Sequence, residues 1–279
     1  MFILKYGSLA HILSIVTPII LIVIFYFFLR NKTQKTQKVV IFILIMINVL
    51  QHLLKSYVWF PLYHGIFDLR NSSFCNVCAS LILLSPIAFL SKSSSFKDSI
   101  FFIGTLSGIM SLWIISIYNG HTILTIDYLR YFSCHALLMV TSTLPVFLGL
   151  QTVRVENFWK VGLFFLGVEA IVFLDNFIIL GFENSFDFNK AYNIVYNENQ
   201  LNIMHGISKE SIKNTPFEIL NIPYMIDDET LTYIPVLWSA PALYPFVSNF
   251  ALLISTILSK IKIKSKYLAK DIKQYKLVK

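Results

Sequence analysis

Charge is what this chain has least of. Asp, Glu, Lys and Arg make up 14% of its 279 residues, against roughly 25% in an average soluble protein. Hydrophobic residues fill 56% of it, Phe alone occurs 25 times, and mean hydropathy is +0.67. A soluble core of this length cannot hide that much apolar surface, so a soluble domain is excluded. The sequence also lacks an internal repeat and lacks Gly- or Pro-broken helices at matching places in two halves. That removes the usual sign of an inverted-repeat transporter. Only Lys5 precedes the first apolar run, which is too long for a leader and ends in Phe-Tyr-Phe-Phe-Leu-Arg, so it reads as a retained span.

What the sequence has in abundance is apolar runs. A membrane span takes about 20 residues, and seven runs approach or exceed that length: 8–29, 38–60, 74–90, 98–118, 129–150, 158–181 and 233–258. The fold class that follows is an all-α, polytopic membrane bundle of about seven helices, one integral domain over 1–279. Two further segments stand apart, a long loop at 182–232 and a basic tail at 259–279. With the N-terminus outside, the cytoplasmic segments carry 16 of the 23 Lys and Arg residues, as the positive-inside bias requires. The loop 182–232 holds eight acids and three lysines and falls on the outer side. The net charge of +8 therefore reports topology. The tail is placed against anionic lipid headgroups, nucleic acid is not expected as a partner, and a multi-pass protein of the cell membrane is.

Polar groups inside spans are costly and mark function by default. Asn48, His52 and Lys55 share one face of the second span, in its outer third. Cys75 and Cys78 open the third span, one turn apart. Cys134 and His135 lie one to two turns below the outer mouth of the fifth, where Arg130 stands. Asp175 and Asn176 are near the outer end of the sixth, with Glu169 deeper. Four helices thus bring polar residues to one depth. Plainer readings exist for each. Lys55 can snorkel to the headgroups or pair with Asp175, His52 can bond a neighbouring helix, and lone cysteines usually only pack. Cys75-x-x-Cys78 has the spacing of a thiol redox pair, and with Cys134 and His135 it offers four ligands to a metal. A thiol beside an imidazole is also the minimum for nucleophilic catalysis.

The stretch Phe74-Cys-Asn-Val-Cys-Ala-Ser-Leu through Pro86 and Lys92, and the stretch Tyr131-Phe-Ser-Cys-His-Ala-Leu-Leu, resemble two motifs of the bacterial YwaF-type integral membrane proteins. Phe101-Phe-Ile-Gly-Thr-Leu-Ser-Gly108 resembles that family's Gly-containing fourth helix, and the likeness covers about residues 40–180. The same motifs are similar to those of eukaryotic transmembrane phospholipid acyltransferases, in which a Cys accepts the acyl chain and a His is its base. The resemblance places the His at His135. It places the Cys at Cys78, with Asn76 in a His/Gln position, or alternatively at Cys75. It departs at Phe74, where the family has Pro, and at Cys134, where it has Ser.

The expectation is therefore a lipid acyltransferase or acyl-ester hydrolase working at the outer leaflet on membrane phospholipids, without cofactor or metal. Its nucleophile is Cys78 or Cys75 and its base His135. Lys55, His52 or Arg130 would hold the lipid phosphate, and Asn76 and Asp175 complete the substrate-binding set. The alternatives are a transporter or receptor for lipid or small solutes, and a thiol–disulfide oxidoreductase acting through Cys75–Cys78.

Overall fold

The computed structural model describes residues 3–59, 69–113, 120, 122–187, 221–225 and 231–235. Within them six α-helices run in sequence: α1 Leu9–Leu29, α2 Gln34–Leu54, α3 Val77–Leu90, α4 Ser94–Trp113, α5 Ile126–Phe147 and α6 Phe158–Glu183. Each matches one of the first six apolar runs. Three are long and apolar enough to cross a membrane: Leu9–Leu29, Gln34–Val58 and Trp159–Glu183. α3 is shorter than its apolar run. It begins at Val77 because Asn76 caps it, the Asn76 Oδ1 accepting from the Ala79 amide at 2.9 Å, so Phe74 and Cys75 lie in the preceding turn. At 1.5 Å per residue its 14 residues span only about 21 Å.

Short polar side chains start three other helices in the same way. Ser8 caps α1, Thr33 caps α2 and Thr125 caps α5, each accepting from an amide three residues on, which satisfies donors the helix itself cannot. α1 and α2 form a hairpin that the Gln37 side chain closes, donating to the Leu29 carbonyl at 2.9 Å. A π-helical turn, Lys55–Trp59, prolongs α2. The α5–α6 connection is tied to the first turn of α4 by buried Asp98. Its carboxylate accepts from Gln151 Nε2 at 3.0 Å, the Arg154 amide at 3.2 Å and Asn157 Nδ2 at 2.7 Å.

α5 is the central element. One side of it, through Met139, Val140 and Leu144, packs with Ile22 of α1 and Ile41 and Ile45 of α2. Cys134 and Leu138 join the larger core with Leu81, Ile103, Val161 and Val172 from α3, α4 and α6. Lipid is as apolar as leucine, so close van der Waals fit has to hold such helices together. Gly108 supplies it. A Cβ there would stand 2.8 Å from Met139 Cβ and 3.0 Å from the His135 carbonyl oxygen, and Gly104, one turn earlier, meets Ser142 and Leu138. The outward faces stay apolar: Leu9, Phe28, Leu50, Leu163 and Phe182 are all more than half exposed, as a lipid-facing belt requires.

Beyond α6, Asn221–Met225 (β1) and Leu231–Pro235 (β2) form an antiparallel pair with Ile222 opposite Ile234 and Tyr224 opposite Thr232. Their β-branched and aromatic residues favour strand. This corrects the expected start of the seventh run, whose first residues, Tyr233 to Pro235, are strand. The rest of that run and the basic tail 259–279 lie outside the described residues.

Candidate functional site

The ends of α2, α5 and α6 and the turn before α3 meet at one end of the bundle, the thiol end. Several of the polar residues expected at one depth come together there. Asn48 Nδ2 donates to the Cys134 carbonyl at 3.1 Å. Gln51 Oε1 accepts from Ser133 Oγ at 2.7 Å and from Cys134 Sγ at 3.4 Å. His52 Nε2–H donates to the Ser73 carbonyl at 2.8 Å. Ser73 Oγ in turn donates to Asp175 Oδ2 at 2.6 Å, and Asn176 Nδ2 to the Cys75 carbonyl at 3.1 Å. α5, α2, the 69–76 turn and α6 are thereby joined in one polar layer.

The structure assigns several of the expected site residues to this framework. Asn76 is committed to capping α3 and also donates to Cys75 Sγ at 3.6 Å. Asp175 holds Ser73 and is not paired with Lys55, so the ion pair offered as a plain reading is not formed. Arg130 pairs with Asp127 one turn away, Nη2 to Oδ1 at 3.0 Å. Lys55 stands at the head of the π-helical turn, within electrostatic range of Arg130, Asp127, Cys75 and Cys134. Two cations and two thiols thus share the mouth of the layer.

Cys78 faces another way, onto α4. Its Sγ lies 3.4 Å from Ser111 Oγ, with the Ser107 hydroxyl also in reach. His135 lies on α5, where its backbone carbonyl meets α4 at Gly108. Its Nδ1–H donates to the Tyr131 carbonyl at 2.8 Å, and the two rings lie 4.3 Å apart. That bond fixes the tautomer and leaves Nε2 as the basic nitrogen. The Tyr131 hydroxyl donates to the Ser111 carbonyl at 2.7 Å. Cys78 and His135 are therefore linked through Ser111 and Tyr131 and do not bond each other directly.

Gly108 makes this register. By letting α4 touch α5 at His135 and Met139, it brings Ser111, one turn on, beside Tyr131, one turn back from His135. Ser107, Ser111 and Tyr131 are the site residues that the sequence did not single out. The signal available was Gly104-x-x-x-Gly108, the spacing of close helix contact in membranes.

The three cysteines are free thiols. Cys75 is buried beside Asn76 while Cys78 turns to Ser111, so the two have different surroundings. Among the described residues no three His, Cys, Asp or Glu side chains converge as a metal site. The four ligands Cys75, Cys78, Cys134 and His135 are accordingly not gathered into one set.

Comparison with curated proteins gave no match, and comparison with solved structures gave none. The TMEM164 family matches residues 6–226. That stretch contains all six helices, both thiol motifs, His135 and the first strand, and is wider than the one that carries the resemblance. This chain is a membrane protein of the TMEM164 family.

Proposed function

We propose that this protein is a lipid acyltransferase or acyl-ester hydrolase with Cys78 as nucleophile and His135 as base. It is the function that the YwaF-type and phospholipid-acyltransferase likeness implies. The observation that carries it is the shared attachment to α4: Cys78 Sγ sits on Ser111 Oγ at 3.4 Å and Tyr131, the residue that orients His135, sits on Ser111 O at 2.7 Å. Catalytic hydrogen bonds are commonly long in the absence of substrate and tighten when it binds.

In this reading His135 Nε2 takes the Cys78 proton and the thiolate attacks the carbonyl carbon of a phospholipid ester. A thioester forms, the C–O bond breaks, and His135 returns the proton to the departing lysolipid oxygen. A second lipid hydroxyl, or water, then attacks the thioester with His135 as base again. Lys55 and Arg130 attract the lipid phosphate at the mouth of the polar layer. Seven spans, an outer N-terminus, a cell-membrane location and a basic tail against anionic headgroups belong to the same proposal and rest on the Lys/Arg distribution.

The test is transfer of a labelled acyl chain from phosphatidylcholine to lysophospholipid or water by the purified full-length protein. Cys78→Ser and His135→Ala should each abolish it, and Cys75→Ser should retain it. Transfer that survives Cys78→Ser would refute the assignment. Loss in both single cysteine variants, with a disulfide that titrates with potential, would favour the thiol–disulfide reading instead.

A further inference from the structure

The opposite end of the bundle holds a cavity, remote from the thiols. There α2 begins, α3 ends, α4 begins and α5 ends, and a crevice of about 670 Å³ lies between them. That size is in the range of about 300–1,000 Å³ typical of ligand sites. Its rim carries Lys38 of α2, Lys92 of the α3–α4 connection and Lys97 of α4, and among the described residues no acidic side chain lines it. Asp98 follows Lys97 in sequence, but its carboxylate is turned to Gln151, Arg154 and Asn157. The walls are apolar, with Phe42, Phe89, Phe101 and Pro145.

The charge of the rim and the way the crevice opens point to its occupant. The deep hydroxyls are turned elsewhere, Ser85 to the Leu81 carbonyl, Thr141 to the Leu137 carbonyl and Ser142 against Gly104. The outer lip is formed by Val39, Ile43 and Leu90, 50%, 51% and 69% exposed. The crevice thus opens onto the lipid-facing belt, and a soluble anion has no use for such walls.

We propose that this crevice binds an anionic diacyl phospholipid. Its phosphate sits among Lys38, Lys92 and Lys97, and the upper part of one acyl chain lies against Phe42, Phe89 and Phe101. The site is independent of Cys78 and His135 and stands whether or not those residues catalyse acyl transfer.

The test is native mass spectrometry of the purified full chain titrated with phosphatidylglycerol, with phosphatidylcholine as reference. Wild type should retain phosphatidylglycerol at least tenfold better than phosphatidylcholine, and Cys78→Ser should match wild type. The triple variant Lys38→Ala/Lys92→Ala/Lys97→Ala changes only exposed or half-buried side chains and should lose that preference. Lys32→Ala/Lys35→Ala/Lys160→Ala removes as many charges from the same end and should keep it. Equal loss in the two triples would mean general surface attraction and overturn the proposal. No preference in wild type would do so too, as would displacement by glycerol phosphate at lipid concentrations.

Discussion

The Tyr131 hydroxyl and the Ser111 carbonyl are joined at 2.7 Å, and that bond ties α5 to α4 one turn before His135. Tyr131 touches His135 twice, through its backbone carbonyl and through its ring. Ser111 touches Cys78 through its hydroxyl. Replacing Tyr131 by Phe keeps the ring and the carbonyl and removes only the hydroxyl. If the register matters for acyl transfer, the rate should fall roughly tenfold, which corresponds to about 1.4 kcal/mol of lost positioning, with KM little changed. Steady-state kinetics of Tyr131→Phe beside wild type checks this.

Gly108 is where α4 and α5 come closest. Gly108→Ala places a methyl 2.8 Å from Met139 Cβ and 3.0 Å from a backbone oxygen that cannot move aside. The expected cost is about 1–3 kcal/mol, the usual penalty for overpacking. Gly167 on α6 has nothing within 4 Å of such a methyl, so Gly167→Ala should be neutral or slightly stabilising. Unfolding of the two variants in mixed detergent should separate them in that order.

Much of this arrangement is legible in the sequence, and the reasons for the remainder are specific. The six helices follow from unbroken apolar runs punctuated by Ser8, Thr33, Asn76 and Thr125. The polar layer follows from depth, since Asn48, His52, Cys134 and Asp175 all lie in the parts of their spans that converge on the thiol end. The start of α3 was hidden because Cys75 and Phe74 are apolar enough to extend the run, whereas the Asn76 side chain decides where the helix begins. The Ser111–Tyr131 bond depends on the crossing of two helices, and only Gly104-x-x-x-Gly108 announces that crossing. The roles given to Asn76 and Asp175 shift for a similar reason, as each finds a partner within the framework, Ala79 for one and Ser73 for the other.

Ser73 and Asp175 bond at 2.6 Å between the α3 approach and α6. Ser73→Ala and Asp175→Asn should each destabilise the protein. Their double variant should cost less than the two effects combined, with a coupling of about 0.5–3 kcal/mol for residues in contact. A double-mutant cycle of unfolding free energies in detergent measures it. A coupling of zero would show that the bond does not support the turn that carries Cys75.

Asp98 anchors the α5–α6 connection through Gln151, Arg154 and Asn157. Asp98→Ala strips three donors of their acceptor at once and should cost about 2–4 kcal/mol if each lost bond is worth about 1 kcal/mol. It should also raise the susceptibility of residues 150–157 to limited proteolysis. Resistance equal to wild type would show that the loop is held by other contacts.

The central claim is that Cys78 carries an acyl group. Incubating the full-length protein with acyl-labelled phosphatidylcholine, stopping the reaction in acid and mapping hydroxylamine-labile label by peptide tests it most directly. The account predicts label on the peptide containing Cys78, present with Cys75→Ser and absent with Cys78→Ser or His135→Ala. Label retained at wild-type level in a Cys75→Ser/Cys78→Ser double variant would contradict it.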